Sequence, residues 1–382
     1  MGDHQGRLAL RLFHTMKILE ITNIDFSLRH FLLPLMRAAR DRGHEVIGIC
    51  AEGPLLDDIR AEGFRIVGVP FERNLSPLAH IRAFRALVSL MRAEKPDLVH
   101  AHAPITGFLG RMAARLAGVP KIAFTSHGFL FNQGGPWPRR AAGLAMEWIA
   151  GRVTDVFLTV SEAGAADARR LHIFANPVPI GNGRDPARFR PDPQARRRVR
   201  AELGTPDDRV VIVAVSRLVR DKGYPELAAA MREVPDAELW VVGERLASDR
   251  GDDMVALLRE AGLGNRLKLL GYRHDVEAVL AAADIFTLPS YHEAMPMSVI
   301  EAMLSGIPVV ASDIDGPREQ VVEGVTGLLV PARQTAPLAG ALARLAGDAA
   351  LRARMGEAGR ARALERYDEA RITARTLDLL GL

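Results

Sequence analysis

Three short runs hold the residues best suited to chemistry. Ser216-Arg217-Leu218-Val219-Arg220-Asp221-Lys222-Gly223-Tyr224 follows an apolar, strand-like run and leads into a helical stretch. Arg217 and Lys222 bracket a loop at that helix start, where fixed positive charge and the helix dipole both favour an anion such as a diphosphate. A solvated basic loop has the same composition. The second run, Glu293 to Glu301, reads EAMPMSVIE. Pro296 suits the opening of a helix, which leaves Glu293 in a loop and Glu301 a turn or more into the helix. Eight helical residues rise roughly 12 Å, whereas two carboxylates working on a single bond sit about 5–9.5 Å apart. The spacing therefore suits the two ends of one extended ligand. The backbone N–H groups of Met297 and Ser298, at the helix start, can hold a phosphate between them. The third run is Thr125-Ser126-His127-Gly128-Phe129-Leu130-Phe131. His127 stands at the carboxyl end of a strand, and Gly128 lets the backbone approach a ligand. A lone histidine in such a place also serves purely structural ends.

Other chemistries find less support. The loop Thr22–His30 contains Asp25, Ser27, Arg29 and His30 but no glycine, so the Gly-rich fingerprint of an NAD or FAD enzyme is missing. His100 and His102, two apart on a strand, share a face. No neighbouring Cys or His set completes a ligand cluster, and neither a metal nor a resident cofactor is expected. The single cysteine, Cys50, lies in the apolar run Val46–Cys50 and reads as a small buried hydrophobe.

These residues need elements to position them. Strands are expected at Lys17–Ile21, Glu45–Cys50, Arg65–Val69, Asp97–Ala101, Lys121–Thr125 and Val156–Val160, and again at Val210–Val215, Glu238–Val242, Leu267–Leu270, Asp284–Leu288, Pro308–Ser312 and Gly327–Val330. Several are continuous apolar runs, as parallel strands buried on both faces require. Helical stretches such as Ile81–Glu94, Pro104–Ala117 and Pro225–Glu233 alternate with them. The fold class is α/β, with two doubly wound Rossmann-like lobes facing a central cleft. The Pro-, Gly-, Asp- and Arg-rich stretch from Asn176 to Asp208 reads as the connection. Residues 1–15 are set aside as an extension expected to be disordered. Residues 16–185 form the first lobe and 186–365 the second. A last helix, Glu365–Leu380, follows a kink near Tyr367–Asp368.

Composition fits this picture. The 382 residues suit two domains, and 48% are apolar. Aromatics make up only 5%, which argues against a nucleic-acid platform built on base stacking. One cysteine excludes an internal disulfide framework and suits a reducing compartment. No run reaches the roughly 18–20 apolar residues of a membrane span, and the first 15 residues do not read as a secretory leader. Residues 1–180 hold 22 Lys+Arg against 16 Asp+Glu, and the remainder 28 against 30. A basic first half can face an anionic partner.

Taken in order, S-R-x4-K-G, A-D-I-F-T-L-P-S, E-x7-E and S-G-I-P-V-V-A-S-D resemble the second lobe of family 4 retaining glycosyltransferases of the GT-B fold. K-I-L-E-I-T, K-P-D-L-V-H-A-H, T-S-H-G-F-L-F and I-G-N-G-R-D-P-A-R-F-R-P resemble its first lobe and hinge, so the resemblance runs from about Lys17 to Tyr367. The H-G-F-x-F segment and D-F-S-L-R-H-F-L-L-P are most similar to the bacterial branch that builds capsule, exopolysaccharide or lipid-linked oligosaccharide. Two departures stand out: the first loop lacks the glycine pair of many members, and Ala294 replaces a frequent glycine or serine. The triplet Asp313-Ile314-Asp315 matches the D-x-D of metal-dependent sugar transferases, but their single-lobed fold does not suit this chain.

The resemblance implies roles. Arg217 and Lys222 would bind the donor diphosphate, Glu301 the ribose hydroxyls and Glu293 the transferred sugar near its C3 and C4 hydroxyls. His127 would approach the reacting face, and Gly271-Tyr272-Arg273 would lie near the base. It implies a metal-independent retaining transfer from a nucleotide sugar, UDP-linked by default and GDP-linked as the variant. The acceptor would be a glycan or a polyprenyl-diphosphate-linked sugar. The last helix would return to the first lobe. Within residues 136–153, Trp137, Arg139, Arg140, Leu144, Trp148 and Ile149 make an amphipathic membrane-facing helix or a piece of core. Localisation is expected to be cytoplasmic, peripheral at the inner membrane. The alternatives are another enzyme of this fold, such as a nucleotide-sugar 2-epimerase or a sugar phosphorylase, and a non-catalytic two-lobed binding protein.

Overall fold

A computed structural model describes residues 15–71, 77–134, 136–245, 249 and 251–382. The rest of the expected N-terminal extension, residues 1–14, lies outside the described residues.

The first seven strands are β1 (Lys17–Ile21), β2 (Glu45–Cys50), β3 (Arg65–Gly68), β4 (Leu98–His102), β5 (Lys121–Ser126), β6 (Val156–Thr159) and β7 (Val178–Pro179). They form a sheet in the order β3-β2-β1-β4-β5-β6-β7. The next six are β8 (Val210–Val215), β9 (Ala237–Val242), β10 (Leu267–Gly271), β11 (Ile285–Leu288), β12 (Val309–Ser312) and β13 (Gly327–Val330), in the order β10-β9-β8-β11-β12-β13. All five neighbouring pairs of this second sheet are parallel. In both sheets the chain winds outward in one direction, then crosses to the other side. The crossings fall between β1 and β4 and between β8 and β11. Ligands of such sheets bind beyond the carboxyl ends of the strands at these crossings.

The strands follow the apolar runs. Every residue of β9 is buried, Trp240 completely, because helices cover both faces. The stretch expected to be a mere connection contains more order than its composition suggests. It holds the two-residue strand β7 and the helix Pro193–Glu202. The Asp192 side chain caps that helix, accepting the N–H groups of Gln194 and Ala195 at 2.9 and 3.0 Å, and Pro193 opens it. The last helix also begins later than expected. Helix Ala349–Arg366 ends first, the chain breaks at Tyr367–Asp368, and helix Glu369–Leu380 follows.

The described chain divides into two compact units. Unit 1 includes the chain up to Phe124, Val153–Val156 and Leu377–Leu382. Here Lys121 Nζ donates to the Leu380 carbonyl at 2.6 Å, and Arg42 pairs with Asp378 at 2.8 Å. Unit 2 comprises Thr125–Arg152 and Phe157–Thr376, and so holds the whole second sheet and the His127 segment.

In unit 2 the basic helix Pro193–Glu202 is fastened by a buried ion pair. Arg200, 1% exposed, donates to Asp284 Oδ2 at 2.7 Å and to the carbonyls of Ala282, Pro206 and Arg209. Asp284 also accepts Arg196 at 2.9 Å and the Val211 N–H at 2.8 Å. Removing one partner of such a pair leaves a charge without compensation, which costs about 3–5 kcal/mol. Asp284→Ala, which strands the buried Arg200 guanidinium, should lose stability of this order in urea unfolding. A loss within the range of ordinary surface changes, about ±0.5 kcal/mol, would refute this account of the fastening.

Candidate functional site

The strongest constellation in unit 2 lies at the β8/β11 crossing. The loop after β8 runs from Ser216 to Gly223, and the loop after β11 runs from Pro289 to Pro296. They meet backbone to backbone. Gly223 has φ +76°, and a Cβ placed there would fall 2.0 Å from the Pro289 carbonyl oxygen. The Tyr291 N–H donates to the Asp221 carbonyl at 2.8 Å. Only glycine satisfies both the left-handed conformation and the close approach. This junction carries Lys222 to Glu293, with Nζ 2.5 Å from Oε1, and Ser290 donates its hydroxyl to the same oxygen at 2.8 Å. The lysine and glutamate side chains are 19% and 12% exposed, a nearly enclosed pair that still opens to solvent.

The glutamate loop is held on its other side too. A Cβ on Gly316 would lie 2.6 Å from the Ala294 carbonyl, and the Gly316 N–H donates to the Glu293 carbonyl. Asn182 donates to the Met295 carbonyl at 2.8 Å, and Gln320 to that of Pro296 at 3.0 Å. Helix Met297–Leu304 then starts, with Pro296 at its N-cap and no side-chain cap. The first-turn N–H groups of Met297 and Ser298 thus have no partner inside the helix and suit an anion. Glu301 follows one turn later. Its Oε1 accepts Arg184 Nε at 2.6 Å, both side chains being nearly buried.

The remaining expected residues fall as follows. Arg217 is half exposed and pairs with Asp249. His127 is exposed just beyond β5, and a Cβ on the adjacent Gly128 would lie 3.2 Å from that of Ala294. A Cβ on Gly134 would stand 3.4 Å from His292 Nε2, so the segment after β5 touches the glutamate loop twice. Gly271 takes φ +63°, and the Tyr272 N–H donates to Glu244 Oε1 at 3.1 Å while its ring stays exposed. Arg273 is occupied by Glu202 at 2.6 Å and Asp275 at 2.8 Å. Those hydrogen bonds raise its pKa well above the usual guanidinium value. Of the sequence-derived residues, the structure directly pairs Lys222 with Glu293 and seats Met297, Ser298 and Glu301 on the adjoining helix. It engages the side chain of Arg273 elsewhere.

Sequence reasoning assigned no part to Arg184, Asp249 or Glu20. Arg184 lies inside the quoted I-G-N-G-R-D run, so its motif was visible while its partner was not. Asp249 carries no motif. Glu20 had a signal: it is an acid set between Leu19 and Ile21 in a buried strand. In unit 1 its register partner across β1 and β4 is His100. Glu20 Oε1 lies 3.1 Å from His100 Nδ1, and Oε2 lies 2.9 Å from His102 Nε2. Burial pushes the Glu20 carboxyl up, but both imidazoles pull it further down, to about 2. Burial, reinforced by His100, lowers His102 to about 4. Cys50, fully buried, has its thiol pushed up to about 12 by burial and the nearby Asp25 and Glu52. It is no nucleophile at neutral pH.

Known proteins share this organisation. Residues 195–362 match the family described as "Glycosyl transferases group 1", and residues 28–183 match the "Glycosyl transferase 4-like domain". The chain is 31% identical over 316 residues to the UDP-Gal:alpha-D-GlcNAc-diphosphoundecaprenol alpha-1,3-galactosyltransferase of Escherichia coli, covering 79% of this chain and 80% of that one. It is 28% identical over 359 residues to the lipopolysaccharide core biosynthesis glycosyltransferase LpsE of Rhizobium meliloti, covering 94% and 96%. Among solved structures, Anabaena HepE in complex with UDP and glucose superposes with a TM-score of 0.84 at 24% identity, covering 96% and 99%.

The backbone junction itself can be tested. Gly223→Ala forces a side chain into a left-handed conformation against a carbonyl, a strain of about 1–3 kcal/mol. Urea unfolding should show that loss. An unchanged midpoint would mean that the loops do not depend on this contact.

Proposed function

The chain belongs to the group 1, family 4 glycosyltransferases of the GT-B fold, and from that premise we propose that it moves a sugar from a UDP-sugar to a lipid-linked or cell-surface glycan acceptor, with retention and without a metal at the diphosphate. The observation that carries this reading is the enclosed Lys222–Glu293 pair beside an uncapped helix start. A departing nucleoside diphosphate develops charge on oxygens that a lysine, an arginine and free N–H groups can meet. UDP is favoured because the Escherichia coli relative's name specifies a UDP-linked donor. That name also specifies a diphosphoundecaprenol-linked acceptor.

In the proposed reaction the anomeric C–O bond to the diphosphate breaks and an oxocarbenium-like sugar forms. Lys222, Arg217 and the N–H groups of Met297 and Ser298 take the charge of the leaving oxygens. Glu301 accepts the ribose hydroxyls and Glu293 the hydroxyls of the sugar. The acceptor oxygen attacks from the side the diphosphate leaves, and its proton passes to a diphosphate oxygen. His127 approaches the sugar from the segment after β5, which touches the glutamate loop.

Membrane contact has its own support. On helix Trp137–Gly151, Trp137 is 77% exposed, Trp148 47% and Ile149 45%, so neither Trp148 nor Ile149 is core. They share the helix with exposed Arg139 and Arg140, and Arg152 lies 4.0 Å over the Trp148 ring. An exposed helix that carries aromatic and basic side chains of this kind suits the anionic headgroup layer. Among the described residues no helix is long and apolar enough to cross a membrane.

Two experiments test the reading. Lys222→Ala should lower kcat/KM by about 10²–10³ while unfolding stays cooperative, measured with the UDP-sugar that gives the largest thermal shift in a panel of UDP- and GDP-sugars. Undiminished transfer, or epimer or sugar phosphate formed without any acceptor, would overturn it. Liposomes containing anionic lipid should sediment the protein. Replacing Arg139 and Arg140 with Glu should release it, and absence of sedimentation with the unaltered chain would end the membrane proposal.

A further inference from the structure

Glu20, His100 and His102 form a group outside the donor site. All three belong to unit 1 and are 0–2% exposed. They stand at the β1/β4 crossing, where Glu20 and His100 are lateral register partners and His102 is the last residue of β4 on the same face. The described partners of the Glu20 carboxylate are the two imidazoles, neither of them a permanent cation. A carboxylate so thoroughly removed from water is paired with a cationic group or bound to a metal.

We propose that Glu20, His100 and His102 bind one divalent transition-metal ion, Zn²⁺ in preference to Mg²⁺ or Ca²⁺, as a structural tie between β1 and β4. Two imidazole nitrogens with one carboxylate oxygen suit zinc, whereas magnesium and calcium favour all-oxygen sets. One donor atom from each residue lies within 4.8 Å of the others. Zinc bonds of about 2.0–2.2 Å place tetrahedral ligands about 3.3 Å apart. The contacts of 3.1 and 2.9 Å, each to a different oxygen of Glu20, lie close to that spacing, and the whole set falls within 4.8 Å, so small side-chain shifts bring it around one ion. The scaffold around the trio is firm. The Thr106 hydroxyl donates to the His102 carbonyl at 2.8 Å, and the next residue, Ala103, is held at φ +63° as the chain turns into helix Pro104–Ala117. A non-glycine residue persists there only when its surroundings fix it. None of these residues is among those assigned to the diphosphate.

The test uses the full chain, expressed with zinc in the medium and purified in chelator-free buffer. Elemental analysis should find one zinc per chain in the unaltered protein and essentially none in Glu20→Gln and His102→Gln. The melting temperature of the unaltered chain should fall with a strong chelator and recover with Zn²⁺, while the variants stay indifferent. Zinc X-ray absorption on the unaltered chain should report two imidazoles and one carboxylate, which decides the matter even if the variants fail to fold. Three results overturn the proposal: no zinc in the unaltered chain together with no uptake by the chelator-stripped protein, zinc retained at equal stoichiometry in both variants, or a coordination shell without paired imidazoles. The first would mean that a shared proton, not a metal, balances the trio.

Discussion

Gly223 has no room for a side chain because the Pro289 carbonyl occupies that space. This steric constraint governs the geometry of the candidate site around Lys222 and Glu293. It brings the loop after β8 against the loop after β11, and it does so through backbone, which moves less than any side chain. A long lysine then needs little conformational freedom to reach a glutamate, and a charge pair forms at the crossing of the sheet. Gly316 repeats the device on the opposite flank of the same glutamate loop. The loop is thus clamped between two glycines, and helix Met297–Leu304 starts at a fixed point beyond it.

The two sheets place their polar clusters by the same topological rule. Each has one crossing where the strand order reverses, and at each crossing a carboxylate from one element meets basic groups from another. They differ in access. The Lys222–Glu293 pair keeps 12–19% of its side-chain surface, enough for a ligand to compete for it. The Glu20 trio keeps only 0–3%, so no large ligand reaches it.

The strands were legible because parallel strands covered on both faces are rich in apolar residues; β8 is a continuous apolar run, and β1, β2, β8 and β13 begin and end where expected. Lys222, Glu293, Met297 and Glu301 were legible because they follow strand ends at motif spacing. What stayed hidden depended on pairing between distant positions. Glu20 joins His100 across eighty residues, and Arg184 joins Glu301 across more than a hundred. No local pattern encodes such a meeting. The helix Pro193–Glu202 was obscured by composition: its arginines look solvated, and only the distant Asp284 explains why Arg200 is buried.

On the proposed assignment every donor-facing charge already has an internal partner: Lys222 has Glu293, Arg217 has Asp249 and Glu301 has Arg184. Donor binding is then an exchange of partners rather than the filling of an unpaired site. A nucleotide sugar completes the central exchange. Its diphosphate meets Lys222 while its sugar hydroxyls donate to Glu293, so neither nearly buried charge is left alone. A nucleoside diphosphate without its sugar satisfies the lysine and leaves the glutamate with the Ser290 hydroxyl but no cation. The same pair that admits the intact donor therefore disfavours the spent one. Once the sugar has moved to the acceptor, Glu293 regains Lys222, and re-forming that pair weakens the grip on the departing diphosphate.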